Sequence, residues 1–280
     1  MEQSVDEQPG RHRDTAADRR HAADAPGGER PGVHRRIQLF ILTEQTDRYF
    51  AWTINPPITA AFLGAAYWAS FLLEFLAARQ RTWAHARVAV PAVLVFTTLT
   101  LVATLLHLDR FHLDSVFGWV WVAVYAVVPP LMLGLLVYQL RAPGHDPPRR
   151  APLAPWVRLA LGVQAAVLLL LGAALFLVPQ VAASLWPWML TPLTGRAVGA
   201  WLLGLGVAAT HMNWENDGQR DRIAMAAYAL LGVLELLALA RYAGALDWSE
   251  PRAWVYLLFL SSVLAVGGYG WRAQDRGVIR

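Results

Sequence analysis

Glu235 stands alone in the apolar stretch "AMAAYALLGVLELLALAR", thirteen residues beyond Arg222. At 1.5 Å per helical residue that is about 20 Å past the basic flank, too deep for a short carboxylate to reach the headgroups. An acidic or basic side chain at a span centre costs about 2.5 to 3.5 kcal/mol, so a residue placed there has a partner or a task. Arg196 enters the preceding apolar stretch from the opposite side, about one turn deep. The depths overlap, and an ion pair Glu235–Arg196 in the outer half of a helix bundle is expected. It serves either as a structural salt bridge or as a transport or catalytic pair.

A second group of reactive types is "HLDRFHLD", with His107, Asp109, Arg110, His112 and Asp114. Imidazoles and carboxylates are metal-ligand types, but i,i+5 spacing on a helix turns the two histidines well apart. In a loop they could converge, and a further ligand would still have to come from elsewhere. With Glu44, Asp47, Arg241, Asp247 and Glu250 on the same side, the expectation is a polar outer vestibule with no metal assigned. His211 lies at the other end of its span, so no haem is expected between histidines. Phosphate loops, G-x-S-x-G, H-E-x-x-H and dinucleotide glycine patterns are missing, and no cofactor is expected.

The elements that position these residues are set by composition. Hydrophobic residues make up 56% of the 280 and charged residues 16%, against about 25% charged in soluble domains. Apolar runs of about twenty residues, each enough for a bilayer core, fall near 55–78, 87–107, 117–140, 156–179, 193–212, 222–243 and 253–271. The fold class is therefore an all-α polytopic membrane bundle of about seven spans. There are no cysteines, which excludes disulfides and thiol chemistry. Net charge is +4, carried entirely by arginine. The arginines flank the spans, so topology explains them and no nucleic-acid partner is expected.

Twelve arginines lie on one side of the spans and five near span ends on the other. The positive-inside rule then places the C-terminus in the cytoplasm and the N-terminus outside a cell membrane. The tail 1–36 mixes Arg, Asp, Glu, Gly and Pro without apolar periodicity and reads as disordered; His12, His21 and His34 in it have no metal-ligand spacing. "RRIQLFIL" (35–42) is too short to span and is expected in the interface or partway in.

"PPITAAFLGA" (56–65) returns as "TPLTGRAVGA" (191–200), an offset of 135. Pro57 falls on Pro192, Thr59 on Thr194, Gly64 on Gly199, Arg87 on Arg222 and Trp119 on Trp254. A one-residue slip matches "LFIL" (39–42) to "LFLV" (175–178) and Trp52 to Trp188. A parallel internal repeat follows, with units 37–140 and 156–272 joined by a cytoplasmic linker at 141–155 and closed by a tail at 273–280. Span four then matches the stunted 39–42 segment. Proline suits a helix start, threonine can bond a free first-turn group, and glycine lets another helix approach. Pro57, Thr59, Gly64, Pro192, Thr194 and Gly199 are accordingly packing residues, or else the edge of a ligand gap between repeats. Glu235 and Arg196 fall on Thr100 and Ala61, so the repeat is broken at those two positions.

Tryptophans cluster near both span boundaries, as an aromatic belt would. "WTINPPITAAFLGAAYW", "LLHLDRFH" and "LWPWMLTPLTGRAVGAWLL" resemble a family of bacterial multi-pass membrane proteins that has no assigned activity, over about residues 38–272. The resemblance implies an integral membrane protein and transfers no catalytic residue. Three functions stay open: a transporter-like bundle with a solute site between repeats, a structural or regulatory subunit, and a membrane enzyme with an outer-face site. The lipid bilayer is the expected surrounding, with a second copy or another membrane protein as possible partner.

Overall fold

The structure is a computed structural model that describes residues 39–275; expectations for the tail 1–36 and for Arg276–Arg280 lie outside those residues. Among the described residues there are seven long helices and no strand. They are α1 (Pro57–Ala77), α2 (Ala89–Leu106), α3 (Val116–Arg141), α4 (Pro155–Leu177), α5 (Pro192–Glu215), α6 (Gly218–Arg241) and α7 (Pro251–Asp275). All seven are long and apolar enough to cross a membrane. Chain segments in lipid must satisfy their own backbone hydrogen bonds, which is why each apolar run closes as a helix.

Helix starts follow the expected chemistry. Proline occupies the first turn of α1, α4 and α5, where its missing N–H costs no hydrogen bond. Thr191 and Thr194 form a reciprocal capping box at the start of α5. Thr59 departs from this pattern: its hydroxyl accepts from Trp188 Nε1 at 2.9 Å and ties α1 to the α4–α5 connection. Helices α5 and α6 run further toward the arginine-rich face than expected, so "NWENDGQRDR" is mostly helix. Asn216 ends α5 in a left-handed conformation, and Asp217 caps α6 by accepting from the N–H groups of Gln219 and Arg220. Two residues make the whole connection.

Helix α4 packs along α5 and α6 along α7, while α2 lies on α5, α1 on α6, and α3 against α2. The halves expected at 37–140 and 156–272 are thus interleaved. Glycine sets the closest approach. A Cβ at Gly199 would lie 2.8 Å from both Gly172 O and Phe176 N of α4, and one at Gly64 would lie 2.5 Å from Phe40 N. Residues 39–42 form a turn rather than a span. Arg241 donates to the carbonyls of Phe40 at 3.0 Å and Ile41 at 3.4 Å, and the Thr43 and Tyr242 hydroxyls pair.

Two aromatic triads lie 135 or 136 positions apart in sequence. Phe50, Trp52 and Trp121 have ring centroids 4.6, 5.1 and 4.8 Å apart. Trp186, Trp188 and Tyr256 are 5.1, 5.8 and 5.3 Å apart. This corrects the belt reading for Trp52, Trp121, Trp186 and Trp188, which are buried between helices. Trp119, Trp156, Trp214, Trp254 and Trp271 are exposed on the bundle surface, where a belt would place them.

Candidate functional site

Helices α4 to α7 enclose a chamber of about 260 Å³ near the ends of the spans that lie away from the arginine-rich face. Leu168 and Leu171 of α4, Leu202 of α5, Leu231 of α6 and Phe259 of α7 make most of its wall apolar. Its roof is the α4–α5 connection at Leu185, Trp186 and Pro187. Arg252, at the start of α7, holds that roof by donating to Ser184 O at 3.2 Å. Val167 and Val255 line the chamber and are also exposed on the bundle surface, so the space borders the bilayer between α4 and α7.

Glu235 is in the chamber wall, 2% exposed. Its Oε2 accepts from the Tyr256 hydroxyl at 3.3 Å, and its Oε1 has no partner. Trp186 also lines the chamber, and its buried indole N–H is likewise unpartnered. One acceptor and one donor therefore remain unmatched in an otherwise apolar space. A buried polar atom without a partner costs about 1 to 3 kcal/mol, so either a water or a polar group entering the chamber would lower that cost at both. Nearby, Tyr228 donates to Gln164 Oε1 at 3.2 Å and Gln164 Nε2 donates to Ser262 Oγ at 2.9 Å, a closed polar chain joining α6, α4 and α7.

The expected Glu235–Arg196 pair does not form. Arg196 points to His107, its Nη1 lying 2.7 Å from His107 Nε2. The reason is packing: α6 meets α7 and α1 along its length and α5 only slightly, so Glu235 faces Tyr256. Guanidinium can only donate, so His107 Nε2 accepts and its proton sits on Nδ1. Burial, and then the charge of Arg196, push the His107 imidazole below its ordinary pKa.

The remaining vestibule residues are not brought together. Asp109 and Arg110 pair with each other at 3.0 Å on the surface, and Asp114 is exposed. His112 lies 3.4 Å from Phe50 O through Nδ1 and 3.3 Å from Thr53 Oγ1 through Nε2. A carbonyl can only accept, so Nδ1 carries the proton and Nε2 takes the threonine hydroxyl. Neither imidazole is presented to the other. Among the described residues no three His, Cys, Asp or Glu side chains converge for a metal.

Between the halves lies a second, smaller cavity of about 50 Å³, walled by α1, α2, α5 and α6. Its walls include Ala69 with Gly204, Ala92 with Ala227 and Phe96 with Leu231, pairs 135 positions apart. Leu205, Tyr228 and Leu231 line both cavities.

Sequence reasoning missed the charge cluster at the arginine-rich face. Glu215, at the end of α5, accepts from Arg87 Nε at 3.1 Å, from Arg149 Nε at 3.3 Å and from Arg220. Asp146 adds a 2.5 Å contact to Arg87. The signal was present as acids among loop arginines, but the distances of Arg87 and Arg149 from Glu215 in sequence hid the convergence.

The fold defines a multi-pass helical membrane protein. No protein-family model, curated protein or solved structure matches the chain, so the site stands on its own geometry.

Proposed function

We propose that this membrane protein binds and carries a small, largely apolar molecule in the α4–α7 chamber. The molecule bears one group that both donates and accepts a hydrogen bond, such as an amide or an alcohol. The observation that carries the reading is Glu235: a buried carboxyl with an unmatched oxygen, in a chamber whose other unmatched polar atom is the Trp186 N–H. The volume supports a ligand larger than benzene, which occupies a cavity of about 150 Å³. Access from lipid between α4 and α7 supports an apolar ligand. The wall shared with the central cavity supports carriage, because movement of Leu205, Tyr228 or Leu231 would join the two spaces.

The chamber belongs to a proposed internal duplication. Its supports are the matched triads, the matched close contacts of Gly64 with Phe40 and Gly199 with Phe176, and the reciprocal packing of α1 on α6 and α2 on α5. Glu235 corresponds to Thr100 in the first half, so the chamber is where the second half diverged. This moves the solute site from the gap between repeats, where about 50 Å³ remains, into the second unit.

The test compares wild-type protein with Glu235→Gln and Glu235→Leu by native mass spectrometry and by tryptophan emission as ligand is stripped. Retained small molecule in the wild type, reduced about tenfold or more in Glu235→Leu, is the expected result; a lost hydrogen bond that leaves its partner buried and unsatisfied is worth this much. Wild-type protein that holds nothing, with emission unchanged on extraction, would sink the reading.

A further inference from the structure

Helix α6 carries three buried polar side chains at intervals of seven residues: Asp221, Tyr228 and Glu235. Seven residues make nearly two turns, so the three share one face and follow one another at about 10 Å along the axis. The file runs from the arginine-rich face to the chamber. Asp221 is 0% exposed, and neither of its carboxyl oxygens has a hydrogen-bond partner among the described residues. Glu235, at the far end, has one unmatched oxygen. A buried carboxylate without partners is costly, and a proton removes its charge.

Open space separates the three groups. The central cavity of about 50 Å³ is lined by Ala224, one turn from Asp221, and by Ser70 and Tyr228. The chamber of about 260 Å³ is lined by Tyr228 and Glu235. One water needs about 10 to 15 Å³ of such space, so both gaps admit water. Ser70 and Tyr228 offer it hydroxyls in the first gap, and Tyr256 and Trp186 offer polar atoms in the second. Tyr228 donates to Gln164 Oε1 at 3.2 Å, and its oxygen can also accept. The charged groups acting on Asp221 are Glu215, at the end of α5, and Asp217 and Arg220. His85 lies on the Trp83–Ala86 segment that packs against α6, and Arg87 follows it, bound to Glu215. Glu74 of α1 accepts from Ser70 Oγ at 2.7 Å, and Arg272 of α7 is exposed. Around Glu235 the chamber adds Tyr256 and Arg252 of α7.

We propose that Asp221, Tyr228 and Glu235, with water in the two spaces between them, form a path that moves a proton between the arginine-rich face and the chamber. A proton from water at that face binds the Asp221 carboxylate and passes on through water. The Tyr228 oxygen accepts one proton as its hydroxyl releases another, and the Glu235 carboxylate takes that proton and becomes neutral. Asp221 and Tyr228 end as they began. The path deepens the carrier reading and rests on it for the use of the proton. A molecule in the chamber meets only an acceptor when Glu235 is charged, and a donor as well when it is neutral. Its entry and release are thereby tied to proton movement.

The experiment uses the full chain in lipid nanodiscs, stripped of small molecules and followed by infrared spectroscopy. A protonated carboxyl has a carbonyl stretch that shifts when deuterium replaces its proton. Glu235→Gln should remove one such band, which assigns it. After rapid transfer to heavy water, that band should shift about a hundredfold more slowly in Asp221→Asn and in Tyr228→Phe than in the wild type, the low end of what a positioned proton-transfer group contributes. Both substitutions keep the side chain's shape, and a packing role alone would lower the thermal midpoint without slowing the exchange. Exchange at the wild-type rate in either variant, or no band that Glu235→Gln removes, would overturn the path. Slowed exchange in a protein that native mass spectrometry finds empty would keep the path and remove only the carrier, so the two fail separately.

Discussion

Protonation of His107 removes the lone pair that Arg196 donates to and sets two cations 2.7 Å apart. Burial and Arg196 already hold the imidazole below its ordinary value of 6.5. A depressed folded pKa means that the unfolded chain takes the proton first. The contact's stabilisation is therefore complete above pH 6.5 and is lost as pH falls through the folded value. Thermal midpoints of wild type and His107→Gln, measured between pH 7.5 and 5, should converge on acidification, since glutamine keeps an acceptor but does not titrate there. A constant difference across that range would refute the account. At Asp217 burial opposes ionisation, but hydrogen bonds from the backbone N–H groups of Arg150, Arg220, Ala151 and Gln219 outweigh it and hold the carboxyl low. Asp217→Ala should cost about 0.5 to 2 kcal/mol, the usual worth of a helix cap, with hydrogen exchange faster at Gln219 and Arg220.

At the scale of elements, glycine decides how closely helices approach. Gly199→Ala would force a methyl to 2.8 Å from Gly172 O and Phe176 N, both backbone atoms that cannot move independently. Overpacking of this kind costs about 1 to 3 kcal/mol. The expected outcome is a lower thermal midpoint for Gly199→Ala and none for Gly134→Ala, where nothing lies within 4 Å of the added methyl. Span limits were readable almost to the residue where proline opened them, as at Pro57, Pro155 and Pro192. They were misread at the α5–α6 connection, because polar residues from His211 to Asp221 look like loop until their partners are known. Two arginines from distant segments, with Arg220 five residues on, satisfy Glu215 there, and that permits a helix to carry it.

For the whole molecule, Glu215 joins the α1–α2 loop through Arg87 to the α3–α4 loop through Arg149 and to α6 through Arg220. Glu215→Gln leaves these cations without their buried counter-charge, and breaking such a pair costs about 3 to 5 kcal/mol. Faster hydrogen exchange across residues 84–88 and 146–153 should report it, with the half of the bundle away from the arginine-rich face unaffected. The sequence alone determined that the chain has seven runs long and apolar enough to cross a membrane and, where proline opens them, nearly where they begin, because a bilayer core demands about twenty apolar residues whose backbones bond internally. It also disclosed Glu235 as an isolated acid in lipid. Only the tertiary structure decided that Glu235 faces Tyr256 and a chamber while Arg196 faces His107. In a lipid environment the outside of a helix is as apolar as its inside, so no periodic pattern marks the inward face. Which acid meets which base is then fixed by the rotation and neighbours of each helix, which exist only once the bundle has packed.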